Sequence, residues 1–355
     1  MNVTKLFFYS AIILSFIACT TEVISEYEPS GIGGGDVDSS NSNNGNSSGF
    51  TSFTTEVTSE GIMLRGSTLA YKLAWLDRNA ESHKTYIVEI NANENIASYT
   101  FQYSGAIDIT VILRGDGVNR TIRLNTNATM FTVKSNVTLI LDNNITLYGH
   151  SGNTGNMVDI NGGTLKMNDG STITGNITYG GVYVISGTFE MTGGTISGNG
   201  RSTSFMGGGV DNRGTFTMSG GTISGNNAST GGGVYSNGTF TMSGGTISSN
   251  NASEKGGGVY INSGTFAMRG GTIMSNTAVN YGGGVYRSGG TFTKTGGTIT
   301  GYSNDPDNGN VVKDEGGNVF ARRGHAVYVS DNKRKETTAG VDVNLSTDGS
   351  GGWDE

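Results

Sequence analysis

The side chains able to do acid–base, nucleophilic or metal chemistry are few and spread out. The single cysteine, Cys19, lies near the N-terminus, so no intrachain disulfide forms. The three histidines, His83, His150 and His325, are far apart in the chain. Between 181 and 300 the carboxylates thin out to Glu190, Asp211 and Glu254. A glycoside hydrolase needs two carboxylates facing one cleft, and a calcium-dependent lyase needs several clustered beside a basic side chain. Neither pattern is present. Asp305-Pro306-Asp307-Asn308-Gly309 brings two carboxylates together, but Pro306 stands where a calcium loop would need a ligand, and the composition is that of a solvated turn. No metal or cofactor is expected. What does recur is tyrosine, at Tyr183, Tyr235, Tyr260 and Tyr286, each directly after the Val of a Gly-Gly-Val segment; Asp211 takes the place of Tyr in one copy. If each Val points inward, each Tyr points out. Such a stripe is either a surface for sugars or protein partners or a ladder that shields the strand face.

These tyrosines belong to an internal repeat. Gly-Gly-Thr-Ile recurs with Thr at 195, 222, 246, 272 and 298, and a degenerate copy has Thr172, so the spacing is 23–27 residues. Gly-Thr-Phe recurs with Phe189, Phe216, Phe240, Phe266 and Phe292, followed two residues on by Met191, Met218, Met242 and Met268; Lys294 replaces the last Met. Each unit therefore holds three short strand-like pieces separated by Gly, Asn and Ser, the residues that tolerate left-handed turns. Within a piece the apolar residues alternate with Thr or Ser, the period of a strand with one buried face. Stacking the units puts Phe on Phe, Met on Met, Ile on Ile and Val on Val, at about 4.8 Å per coil. The fold expected is all-β: a right-handed parallel β-helix, or β-solenoid, with three short strands per 23–27-residue coil. Asn176, Asn199, Asn226, Asn250 and Asn276 follow the Ile piece in successive units and mark a corner at which stacked amides bond along the axis; a row of ligand donors is the functional alternative.

The flanks read as follows. Residues 1–18 have a basic Lys5 and an apolar run of signal-peptide length. Ala18 precedes Cys19, as in the relaxed lipobox of a bacterial lipoprotein, although Phe16 and Ile17 depart from the strict form; an ordinary signal peptide with an incidental Cys is the alternative. Residues 19–50 would then be a lipidated Cys and a flexible Gly/Ser/Asn tether. The span 51–156 reads as a short N-terminal helical cap over Ser67 to Ala80, with Ser67 capping, and irregular coils. Their strands are Tyr86 to Ile90, Ile109 to Leu113, Thr121 to Leu124, Met130 to Val133 and Val137 to Leu141. Residues 157–300 are the regular coils. Residues 301–355 are the terminal coils and end cap, with two last strands suggested by Val319, Val327 and Val329 and a solvated basic run from Arg322 to Lys335.

The segment from Ile223 to Tyr235, Ile-Ser-Gly-Asn-Asn-Ala-Ser-Thr-Gly-Gly-Gly-Val-Tyr, resembles the paired Phe-x-x-Asn and Gly-Gly-Ala-aliphatic elements of chlamydial polymorphic outer-membrane proteins. The chain is also similar to spirochaetal surface lipoproteins of the pectin-lyase-like β-helix superfamily. That resemblance covers 157–300 well and implies a surface-displayed adhesin, probing a host protein or glycan and held to the membrane by its lipid. It departs in offering no C-terminal β-barrel pattern, so display would depend on Cys19. The same superfamily hosts polysaccharide lyases and hydrolases. Gly324-His325 resembles the Gly-His-Gly of polygalacturonases, but Ala326 breaks the motif and no Asp-Asp partner is near. The reading that follows is a non-enzymatic cell-surface lipoprotein, with a polysaccharide lyase or glycoside hydrolase as the alternative and an inert coat protein as a third. A formal net charge of -7 argues against a nucleic-acid partner.

Overall fold

A computed structural model describes residues 53–200, 206–302, 305–320 and 324–330. Over that range the chain winds into a parallel β-solenoid of about nine turns. Each regular turn runs through three faces. In one turn these are Val210–Asn212 on the third face, then Thr215–Met218 on the first and Thr222–Ser224 on the second. The next turn repeats them as Val234–Ser236, Thr239–Met242 and Thr246–Ser248. Pairing between turns is parallel and like on like: Phe216 on Phe240, Ile223 on Ile247, Val210 on Val234.

Alternation decides what lies inside. The Phe, Met, Ile and Val columns expected from the repeat are buried throughout the regular turns. The phenyl rings of Phe189, Phe216, Phe240 and Phe266 stack with centroids 4.7, 4.7 and 4.5 Å apart and planes within 7°. Burying one such side chain is worth roughly 1.5–3 kcal/mol, and each contact is shared between two turns, so no turn is stable alone. The residues between the apolar ones form columns as well. On the outer side of the first face, threonine is unbroken from Thr85 through Thr110, Thr138, Thr164, Thr188, Thr215, Thr239 and Thr265 to Thr291. A second column runs on the second face from Thr121 to Thr298. Both cross from the irregular turns into the regular ones, so the two regions are one stack.

The asparagine corner is a structural ladder. Asn250 donates from its backbone N and from Nδ2 to Asn276 Oδ1 at 3.0 and 2.9 Å, and its Nδ2 also reaches Ile223 O at 2.9 Å. Asn199, Asn226 and Asn276 repeat this bonding, and all are buried. The ladder extends past the residues the repeat identifies, to Asn153 at one end and Asn310 at the other. Asn310 lies 34 residues after Asn276, because the chain makes an excursion before returning to the corner.

Beyond this corner several turns add a fourth short strand that the sequence reading does not contain: Asn227–Thr230, Asn251–Lys255, Thr277–Ala278 and Val311–Val312 form their own parallel sheet. A Gly-Gly-Gly turn then leads back to the third face. Its first residue has positive φ (Gly231 +66°, Gly256 +67°), and its third is pressed on the next turn, where a Cβ on Gly233 would lie 2.6 Å from Gly258 O. Alanine fits neither position.

The first turn is covered by the helix Leu69–Asn79, which buries Leu69, Leu73 and Leu76. Its N-cap is Thr68, whose Oγ1 accepts from Tyr71 N at 3.2 Å; Ser67, expected to cap, instead holds a left-handed backbone one residue earlier. Glu94 Oε2 accepts from Leu69 N at 2.8 Å, adding a negative charge where the helix dipole favours one. The antiparallel hairpin of Thr54–Val57 with Ile62–Arg65 completes the cap. At the far end Val327–Val329 is a strand as expected, but Val319 is exposed and makes only an isolated bridge to Lys313. The second terminal strand is Val311–Val312, buried at the corner. The Cys19 anchor, the tether and the basic side chains from Arg322 to Lys335 lie outside the described residues.

Removing one rung of the ladder tests its contribution. Asn250→Ala strips the buried Asn226 N–H and amide of their shared acceptor, and the expected loss is about 1–3 kcal/mol in urea-unfolding free energy. A loss near zero would show that water replaces the amide.

Candidate functional site

The outer row of the third face collects the side chains with the most varied chemistry. Register places Asp159 on Tyr183, Tyr183 on Asp211, Asp211 on Tyr235, and then Tyr260, Tyr286 and Tyr328 in sequence. The four predicted tyrosines do share this row and point away from the core, as the strand alternation requires.

They do not make an open surface. Tyr235, Tyr260 and Tyr286 are only 4%, 9% and 6% exposed. Their rings stack on each other at 5.2 and 5.1 Å, and Tyr328 continues the stack at 5.4 Å. The Gly turn preceding each tyrosine folds against it: a Cβ on Gly256 would lie 2.9 Å from Tyr260 Cβ. Lys255 Nζ sits 5.5 Å from the centroid of Tyr286, and Tyr281 packs on Tyr286 and Tyr328. Sugar binding by an aromatic side chain needs a free ring face. Here the faces are spent on neighbouring rings, so the row from Tyr235 onward is a shielding ladder. Burial pushes the Tyr235 and Tyr286 phenols above the ordinary tyrosine value.

Tyr183 stands apart. It is half-buried, and Arg213 lies over its ring with the guanidinium carbon 4.9 Å from the centroid. Arg213 also pairs with Asp211, Nη2 to Oδ2 at 3.2 Å, so the aspartate that interrupts the tyrosine row brings its own cation. Burial raises the Asp211 carboxyl above the ordinary range, more than the half-exposed Arg213 offsets. On the other side of Tyr183, Asp159 accepts from Asn156 Nδ2 at 2.9 Å and Thr129 Oγ1 at 3.1 Å, and burial raises it too.

Asp159 was missed in the sequence because its partner Asp211 is two turns away and shares no motif with it. Only the register Asp159–Tyr183–Asp211 could have found the pair. Two strand spacings separate the two backbones by ~10 Å, slightly beyond the roughly 6.5–9.5 Å between the carboxyl groups of inverting glycosidases. Tyr183 occupies the rung between them, where a water and a sugar would have to enter. The other scattered carboxylates are placed elsewhere: Glu190 pairs with Lys166 at 2.8 Å on the first face. Asp305 accepts from the backbone N of Asp307 and Asn308 at 3.2 and 3.0 Å, which closes its own turn and holds its carboxyl below the usual range. Among the described residues no group of three or more His, Cys, Asp or Glu side chains is placed to share a cation.

The histidines are kept apart. His83 contacts Asp108 on the surface at 3.2 Å, and His150 Nε2 lies 3.0 Å from Thr126 O. His325 is buried and takes the middle position of the last Gly turn, where its Nδ1 accepts from Val312 N at 2.9 Å. A shallow cleft of about 240 Å³ lies beside the helical cap, lined by Leu73, Asp77 and the 95–99 segment; Tyr99 Oη donates to Asp77 Oδ1 there at 2.6 Å. Comparison with known protein families, curated proteins and solved structures finds no match for this chain.

Burial lowers the His325 pKa below its ordinary value of about 6.5. The unfolded chain therefore binds the proton first, so the stability held by neutral His325 is present above about pH 6.5 and is lost as pH falls below it. The Val312 amide is expected to lose protection, measured against its intrinsic exchange rate, as pH falls from 7.5 to 5, and His325→Gln should flatten that loss. Equal protection at both values would remove the histidine from the end's stability.

Proposed function

We propose that this protein is a non-enzymatic, lipid-anchored surface protein whose solenoid is a rigid rod displaying adhesive faces to an extended partner, a glycan or a host protein. The observation that carries the reading is the regularity of the outer columns. Thr and Ser occupy the same outward positions turn after turn, while the polar groups of the third face are turned to one another. A surface built that way suits a long repeating contact better than a pocket for one small substrate. The apolar run ending in Ala18-Cys19 and the Gly/Ser/Asn stretch after it support attachment through the Cys19 thiol, with the membrane as the fixed partner. The -7 charge supports partners other than nucleic acid.

One arrangement favours a second reading. Asp159 and Asp211 share one outer row two turns apart, with Tyr183 on the rung between them, and are the arrangement here that comes nearest to the carboxylate pair of a polysaccharide hydrolase. Reducing-sugar release from pectins and glycosaminoglycans, lost in Asp159→Asn, would replace the adhesive reading with this one.

Cells displaying the chain are expected to adhere to a matrix- or glycan-coated surface, and brief protease treatment of intact cells should remove both the protein and the adhesion. Cys19→Ser should move the protein to the soluble fraction. Retention of the variant in membranes would refute the anchor; adhesion unchanged after complete shaving would refute the adhesive role.

A further inference from the structure

The last strand on the first and second faces, Thr291–Ile299, pairs on one side with Thr265–Met274, and among the described residues no strand pairs with its other side. Phe292 and Ile299, which end the phenylalanine and isoleucine columns there, are nevertheless only 8% and 2% exposed. Lys294 ends the methionine column: it lies on Met268, and its Nζ is buried. This end of the coil therefore presents two apolar side chains and one inward ammonium group. Ser330 shows which way the chain goes next. After Val327–Val329 it keeps to the turn below, donating from N to Arg287 O at 3.1 Å and from Oγ to Ser288 O at 2.9 Å. In earlier turns that path reaches the first face after two residues, from Asn212 or Ser236, or after three, from Ile261 or Arg287.

We propose that this end is the docking surface for residues 333–341 of the same chain, which lie outside the described residues, with Arg334 on Phe292, Glu336 on Lys294 and Val341 on Ile299. Charge sets the register. A three-residue turn after Val329 places Arg334 and Glu336 at the two inward positions. A guanidinium then covers the phenyl face and a carboxylate meets the ammonium. A two-residue turn would instead put Lys333 on Phe292 and Lys335 on Lys294. Two ammonium groups would then stand one strand spacing apart where water does not reach. The spacing further along agrees independently. Ile196, Ile223, Ile247 and Ile273 each follow the methionine of their turn by five residues, and Ile299 follows Lys294 by five. Five residues after Glu336 is Val341, whereas five after Lys335 is Gly340. Of the two registers, only the one with Glu336 on Lys294 puts an apolar side chain on Ile299. It also turns Lys333 and Lys335 outward, and lysines on a last strand discourage the addition of another. A second copy is a poorer cover. Its first turn is closed by the Leu69–Asn79 helix and the antiparallel Thr54–Val57 strand, so it presents no parallel strand to continue these columns.

The test is hydrogen exchange of the backbone amides from Phe292 to Ile299 in the purified full-length chain, with sedimentation velocity to fix its association state. The wild-type chain is expected to be a monomer that protects these amides as well as those of Thr265–Met274 one turn in. Glu336→Lys sets two ammonium groups against each other and should speed exchange from Phe292 to Ile299 at least about tenfold, while Thr215–Met218 stays protected. Lys294→Glu combined with Glu336→Lys restores the pair in reverse and should bring the protection back, which a general loosening of the chain would not do. Exchange unchanged in Glu336→Lys overturns the proposal, as does a double variant no better protected than the single one. So does wild-type protection that disappears on dilution as a dimer dissociates, which would give the end to a second copy.

Discussion

Every side chain in this rod lies one strand spacing from its counterpart in the next turn, and the rest of the structure follows from that constraint. Parallel in-register stacking lets each residue type satisfy itself: phenyl on phenyl, amide on amide, threonine on threonine. It makes a buried polar corner affordable, because each asparagine amide donates to the next one's carbonyl oxygen and no group is left to water. It also explains why the turns are so intolerant of side chains. The Gly-Gly-Gly segments approach the next turn closely enough that backbone oxygens occupy the space of a Cβ.

The same constraint governs what the surface can do. A stacked aromatic row on the third face presents edges, since ring faces at about 5 Å are taken by neighbours. The row opens only where the repeat breaks, at Asp159, Tyr183 and Asp211, and there the charges are held by Arg213, Asn156 and Thr129. The first face behaves differently because its aromatic rings point inward. Their stacking fills the core and leaves a regular threonine column outside. Two faces of one solenoid thus acquire different surface character from the placement of one ring relative to the strand.

Much of this was readable in the chain. Gly-Thr-Phe-x-Met and Gly-Gly-Thr-Ile at 23–27-residue spacing contain both the turn chemistry and the period-two burial, so the inner columns and the asparagine corner were legible residue by residue. Less was legible where the spacing slips. Asn310 escaped because it returns to the corner 34 residues after Asn276, and Asn153 because the strand before it, Ile145–Tyr148, lacks the Gly-Gly-Thr-Ile signature. The fourth strands escaped for another reason. Asn-Ala-Ser-Thr has little β-propensity, and it is extended because it lies beside the similar Asn-Ala-Ser segment of the next turn, which the corner also holds.

The sequence by itself determined the solenoid, its inner ladders and the outward direction of each tyrosine, because these depend only on alternation within a strand and repetition between turns. Exposure was decided by the tertiary structure. Whether an outward tyrosine is a platform or a sealed ladder depends on the Gly turn and the fourth strand that fold against it. Whether two carboxylates are neighbours depends on which turns lie between them. Both are properties of packing across a distance of one or more turns, which local periodicity does not encode.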